Sequence, residues 1–328
     1  MIDDPVAARA DVARSIRHLP LLLFGSVVGV TGLALVWGRA PDAVDFLPRW
    51  VGDALLVLAV AWFLVVLVLY AGKALLHWSA VMAEARHPAR ANYLNFIPVA
   101  FLLIGTAVLP VDRAIAEPLW LVGTLGNLAL AVVIIPRWLF DDYAPTDLTP
   151  AWVIPVVGNV LPPIAGVALG HGELSWLCFS AGIGFWIVLF PLIVGRLIFA
   201  KKLPAPVMPS YVILVAPPSV MSISFAELVG GPNPLSRVLF YLSLFLAACL
   251  ATRARQLLAE RYSLAYVAFT FPSAALAGAA LRHHQATGGL ATRTLAVVLL
   301  LAATGIVLTV FAATVRRLCT GGFFRGLD

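Results

Sequence analysis

Apolar residues dominate ten stretches of the chain, and polar or charged residues collect in short breaks between them. A hydrocarbon core about 30 Å thick needs about 20 helical residues to cross it. The pattern therefore predicts membrane-spanning helices over approximately 19–38, 51–72, 92–110, 118–139, 150–170, 174–200, 207–229, 234–252, 262–281 and 294–315. The breaks leave no room for a second folded unit. The expected organisation is an N-terminal tail (1–18), a ten-helix membrane domain (19–316) and a C-terminal tail (317–328). No cleavable signal peptide is predicted, because the first apolar run is long enough to span.

Prolines punctuate the odd-numbered stretches. The third holds Pro98, the fifth Pro155 with Pro162 and Pro163, the seventh Pro217 and Pro218, and the ninth Pro272; the leading prolines lie 57, 62 and 55 residues apart. The first has no interior proline but carries Gly25, Gly29 and Gly32, of which Gly25 and Gly29 form a GxxxG helix-packing motif. Even stretches are mostly unbroken, with Pro136 and Pro191 as exceptions. Proline lacks an N–H and clashes with the carbonyl four residues back. Hydrocarbon tolerates a freed carbonyl only where protein or a water-filled cavity covers it. The pattern predicts five helical hairpins in which the distorted odd member faces inward around a central lane and the straight even member faces lipid. Repeated helical units are a recurrent way to build transport proteins.

The ninth stretch is the sharpest case. Tyr266 to Leu281 carries no charge, Phe271 stands just before Pro272, and Ser273, Ala274, Ala275, Ala277 and Gly278 follow. Two readings fit: a kinked helix packed through its alanines, or an aromatic plug above small side chains in a narrow passage. At Pro272 the carbonyl of Ala268 is expected to lose its helical partner.

Composition fixes the class. The chain is 62% hydrophobic and 12% charged, with a mean hydropathy of +0.98. That is too apolar for a soluble domain, so the fold class is all-α polytopic membrane protein in a lipid bilayer. The net charge of +6 does not indicate a nucleic-acid partner, because the basic residues are scattered among the breaks. Of the 22 lysines and arginines, only Arg39, Arg49, Arg113, Arg237, Arg282 and Arg293 fall on the side away from the tails. The positive-inside rule then places both termini in the cytoplasm of a bacterial-type inner membrane. The three cysteines have neither disulfide nor metal spacing, and no metal or cofactor is predicted. Absence of a nucleophile elbow, a P-loop, an HExxH or a dinucleotide fingerprint argues against an enzyme.

The lane itself is nearly free of acid. Glu227, near the end of the seventh stretch, is the one carboxylate of the odd stretches that could serve a proton-coupled carrier. An acid-free lane with basic residues at its mouth, and broken helices whose N-terminal N–H groups face inward, favours passive movement of small anions. Phe24, Pro98, Pro155, Asn159, Pro217, Pro218, Phe269 and Pro272 are candidate lining or kink positions. Asn159 either lines the lane or hydrogen-bonds a neighbouring helix. Arg196 is expected to snorkel to the interface. His283 and His284 are expected in a solvated loop, and Glu84 and His87 in local hydrogen bonds or caps.

Short motifs then accumulate in order: Glu84-Ala-Arg-His-Pro88 with Phe96-Ile-Pro98, Pro155-Val-Val-Gly-Asn-Val-Leu-Pro162, Phe185-Trp-Ile-Val-Leu-Phe-Pro191, Leu214-Val-Ala-Pro-Pro218 and Ala268-Phe-Thr-Phe-Pro272. Over roughly residues 18 to 325 the chain resembles the tellurite-resistance (TehA), slow-anion-channel and dicarboxylate-malate transporter family. The resemblance implies a ten-helix, pseudo-fivefold anion channel assembled as a homotrimer, its pore closed by a phenylalanine on the ninth helix. That residue maps onto Phe271 through the Phe-Thr-Phe-Pro pattern, with Phe269 as the alternative. Two departures are Gly-rich packing in place of a first-span proline, and Phe190 where a relative carries an acid. The family leaves two functions open: a passive gated channel for small anions, or a proton-linked carrier of dicarboxylates such as malate or of oxyanions such as tellurite.

Overall fold

Every recurrent proline falls in the first turn of an α-helix, not in the middle of one. In the computed structural model, which describes residues 15–87, 90–258 and 262–324, the odd elements start as a tight 3-10 helix and then relax into an α-helix at the proline. The third element runs as 3-10 over Ala91–Asn95 and as α over Phe96–Val108; the seventh changes from Ala205–Val215 to Ala216–Leu228; the ninth changes from Leu264–Phe269 to Thr270–Thr287. Pro98, Pro217, Pro218 and Pro272 thus occupy positions where the missing N–H has no intrahelical partner in any case. The expected mid-helix kink at Pro272 is accordingly a change of helix type. Hydroxyls help at these junctions: Ser219 Oγ donates to Val215 O at 2.8 Å and Thr270 Oγ1 to Val267 O at 2.7 Å. The first element starts the same way, with the N–H groups of Leu23, Phe24 and Gly25 donating to carbonyls three residues back.

Nine helices among the described residues are long and apolar enough to cross a membrane: α1 (Leu23–Ala43), α2 (Arg49–Leu76), α3 (Ala91–Val108), α4 (Arg113–Phe140), α6 (Gly172–Phe199), α7 (Ala205–Leu228), α8 (Pro234–Ala251), α9 (Leu264–Thr287) and α10 (Leu290–Cys319). The fifth predicted span is shorter. It forms α5 (Pro150–Gly166), whose α-helical pieces Ile154–Val160 and Pro163–Gly166 are separated where Pro162 and Pro163 withhold two N–H donors. No strand occurs among the described residues. Most of the expected N-terminal tail (1–14) and the last four residues (325–328) lie outside the described residues, as do Pro88 and Arg261; the expected C-terminal tail is otherwise helical, with α10 running to Cys319 and a 3-10 turn over Gly322–Phe324.

Consecutive elements pack as pairs: α1 with α2, α3 with α4, α5 with α6, α7 with α8, α9 with α10. The odd members also touch one another in sequence, and α9 returns to α1. Burial separates the two sets. In the most apolar window of α1, α3, α7 and α9, 56–78% of residues are buried, against 22–33% in α2, α4, α6, α8 and α10. The broken helices are therefore the inner ones, as the cost of unpaired backbone in hydrocarbon requires.

Glycines set the closest approach. A Cβ at Gly25 would stand 2.7 Å from Val267 Cγ1, and one at Gly29 would overlap the Thr270 side chain. The GxxxG pair thus lets α1 lie directly on α9. At the far end of α9, Gly288 and Gly289 both take positive φ and reverse the chain into α10.

Three expectations need correction. His283 and His284 lie within α9, not in a loop. His283 is buried and stacked on Phe240, with Nε2 3.2 Å from Tyr241 Oη, and His284 Nδ1 is 2.9 Å from Thr292 Oγ1. Arg196 does not snorkel: it is buried, and its Nε and Nη1 have no hydrogen-bond partner, because it falls on the same inward face of α6 as the buried Leu189 and Ile193. Glu84 lies within a short helix, Trp78–Arg86, and its hydrogen bonds are not local. Lys73 Nζ donates to Glu84 Oε1 and to Leu19 O, both at 2.7 Å, while Tyr70 Oη donates to Glu84 Oε2 at 3.0 Å. These contacts tie the start of α1 to the end of α2 and to the short helix Trp78–Arg86.

Candidate permeation pathway

The points where 3-10 helix gives way to α-helix share one cavity. A space of about 160 Å³ is lined by Leu22 and Gly25 of α1, Phe96 of α3, Ile154 of α5, Ala216 of α7, and Phe271 and Pro272 of α9. Phe96, Ile154 and Ala216 are each the first residue of an α-helical piece. Five helix starts therefore surround a single volume. The N–H groups of Ile154, Ala216 and Thr270 donate to carbonyls three residues back in the preceding 3-10 helix, so what these starts bring to the cavity is the partial positive end of the aligned peptides, about half a charge per helix. Among the described residues, no acidic side chain lines the cavity.

A second cavity of about 270 Å³ continues along the same helices, lined by Gly32 and Val36 of α1, Leu103 of α3, Val220 of α7, and Ala275 and Gly278 of α9. Phe271 and Leu161 belong to both walls and to no other described cavity, so these two side chains stand between the spaces. The Phe271 ring rests on the backbone of Gly32, where an added Cβ would lie 3.0 Å from Cδ2 and 3.4 Å from Cε2.

Charge gathers at the far end of the second cavity. Arg282 Nη1 lies 2.8 Å from Glu227 Oε1, and Arg39 Nη1 lies 3.4 Å from the same oxygen. Arg39 Nη2 also reaches Ile164 O at 3.5 Å, and Asp42 nearby pairs with Arg49 at 2.7 Å. Two guanidinium groups thus share one carboxylate oxygen.

The candidate positions sort by place. Phe271 and Pro272 line the first cavity. Pro98, Pro155, Pro217 and Pro218 set the helix starts from behind and do not line either space. Phe24 is fully buried, edge-on to Tyr70 at 5.5 Å between ring centroids, and lies outside both cavities. Phe269 also lies outside both and lines a groove between α8 and α10. Asn159 follows neither expectation: its Nδ2 donates to Pro155 O at 2.9 Å, back onto its own helix. No group of three or more metal-ligating side chains occurs among the described residues.

Three residues of the pathway escaped the sequence reading. Arg39 and Arg282 looked like loop charges, yet Gly32, Val36 and Arg39 share one face of α1, and Phe271, Ala275, Gly278 and Arg282 share one face of α9, by helical spacing. Leu161 carries no chemical signal; only the convergence of five elements reveals it.

Residues 18–315 match the family described as voltage-dependent anion channel. The S-type anion channel SLAH3 of Arabidopsis thaliana is 28% identical over 304 residues, covering 90% of this chain and 48% of that protein. The guard cell S-type anion channel SLAC1 of the same plant is 27% identical over 312 residues, covering 90% and 55%. A tellurite resistance protein TehA homolog of Haemophilus influenzae is 28% identical over 181 residues, covering 55% of each chain. The chain spans about half the length of the plant relatives it matches.

Proposed function

Because the chain belongs to the voltage-dependent anion channel family, we propose that it is a passive, gated channel for small anions. The observation that carries this reading is the pair of end-to-end cavities parted by Phe271, the inner one ringed by five helix starts. Anions entering the inner cavity meet the partial positive ends of helix dipoles and, among the described residues, no carboxylate. Binding by partial charges is weak enough for release, as conduction requires. Phe271 closes the passage by filling it and excluding water. The family's description as anion channels supports the ion class.

The same reading makes α5 a tenth crossing and the five hairpins a pseudo-fivefold ring over residues 19–316. The contacts that return α9 to α1 support it. The basic ends, including Lys73 and Arg86, would face the cytoplasm with both termini, in an inner (plasma) membrane, and the channel would assemble as a homotrimer. No step calls for an enzyme active site. A proton-linked carrier has less support, because its candidate proton site, Glu227, is held by Arg39 and Arg282.

The test is a reversal-potential measurement on purified protein in planar bilayers with chloride, nitrate and malate gradients. Reversal at each anion's equilibrium potential supports a channel. Saturable, electrically silent flux that follows an imposed pH gradient would replace it with the carrier.

A further inference from the structure

A groove outside the permeation pathway carries a second ligand chemistry. It holds about 740 Å³ and opens between α8 and α10, the two least buried membrane helices. It is hollow because its walls are small: Ala247 and Ala251 on α8, Ala302 and Gly305 on α10. A Cβ at Gly305 would meet nothing within 4 Å. Along α10 the groove extends from Leu299 to Ala313, about 21 Å at 1.5 Å per residue. That exceeds the depth of one leaflet, about half of a 30 Å core. Its floor is the back of α9, including Phe269, Pro272 and Ser273.

One end of the groove is basic. The stripe of α10 that lines it continues by helical spacing from Ala313 to Arg316, and the lining residue Ala254 sits between Arg253 and Arg255. All three arginines are exposed, and none makes a side-chain hydrogen bond or ion pair with another described residue. A long apolar slot facing lipid, ending in unpaired guanidinium groups at membrane-surface depth, is complementary to a phospholipid with an anionic headgroup.

We propose that this groove binds an acyl chain of an anionic phospholipid whose headgroup is held by Arg253, Arg255 and Arg316. Pro272 lines both this groove and the inner cavity, so the bound chain presses on the helix start that carries Phe271. Occupancy therefore sets how readily the passage opens. This regulatory half rests on the channel reading above; lipid binding does not.

Native mass spectrometry of the full chain, titrated with phosphatidylglycerol or phosphatidylcholine, tests binding without reference to current. The expected result is a preference for phosphatidylglycerol of about fivefold per arginine, lost in Arg253→Gln/Arg255→Gln/Arg316→Gln. Gly305→Trp, which fills the slot, is expected to lose retention of both lipids. Equal retention of the two lipids by the wild type, or an unchanged preference in the triple variant, overturns the proposal. So does a Gly305→Trp variant that keeps its lipid but falls from an assembly to single chains, which would assign the groove to a second copy. Anion currents in vesicles with and without phosphatidylglycerol separate the two readings. Selective lipid binding with no current in either vesicle refutes the channel and leaves the lipid site standing; current without selective binding refutes the lipid site alone.

Discussion

The Phe271 ring lies directly on Gly32, with no side chain between it and the α1 backbone. Replacing Gly32 by alanine puts a methyl group 3.0 Å from Cδ2, closer than van der Waals contact allows. The ring must shift off its seat, which on the proposed reading joins the two cavities. Gly32→Ala is expected to raise resting anion current, by less than Phe271→Ala does. In the double variant Gly32→Ala should add almost nothing, because the ring it acts through is gone. Additive effects in the four-way comparison would show that Gly32 acts elsewhere.

Phe271→Ala is expected to raise anion current at least tenfold. The cost in stability should fall below the about 3–5 kcal/mol typical of a buried phenylalanine, since the ring is only partly buried and faces open space on two sides. Current per channel and thermal unfolding of the same preparation decide it. An unaltered current from a folded variant would exclude Phe271 as the closing element.

At the outer cavity, Glu227→Gln leaves Arg39 and Arg282 without their shared carboxylate. Anion entry should rise at low ionic strength, by up to about tenfold. The gain should shrink in 1 M salt, where the screening length falls to about 3 Å. Loss of all flux at either salt concentration would instead make Glu227 the proton site of a carrier.

Glu84→Gln removes the charge that faces Lys73, whose side chain is 1% exposed. Leu19 O and a neutral amide cannot balance a buried ammonium, and the expected destabilisation is about 3–5 kcal/mol. Lys73→Met in the Glu84→Gln background should recover much of it. Unfolding midpoints of the two variants and the wild type provide the measurement; an unchanged midpoint in Glu84→Gln would mean that water already reaches the pair.

Much of this was legible in the residues. Pro98, Pro155, Pro217 and Pro272 mark the inner elements because a missing N–H is costly anywhere lipid can reach. Phe271 stood out through its proline and the small residues after it. What the sequence hid depends on geometry across elements. A proline reads as a kink, yet the chain resolves it by winding the preceding residues as 3-10 helix, which depends on neighbours that those residues do not specify. Arg196 reads as an interface residue from its position near a span's end, but it continues the buried face of Leu189 and Ile193 on α6. His283 falls beyond the apolar run, although the helix continues to Thr287 and stacks it on Phe240. Lys73 and Glu84 are eleven residues apart, and their pairing follows from how the short helix Trp78–Arg86 turns back.

The convergent helix starts have one more consequence. On the proposed reading the positive character of the inner cavity resides in the aligned peptides of the helices that start there, and replacing a lining side chain leaves that alignment in place. Mutating those residues one at a time would change the bore and its wetting while the sign of the potential persists. Distant homologues can therefore diverge in calibre and conductance, and turning such a passage to cations would take new carboxylates, not the deletion of arginines.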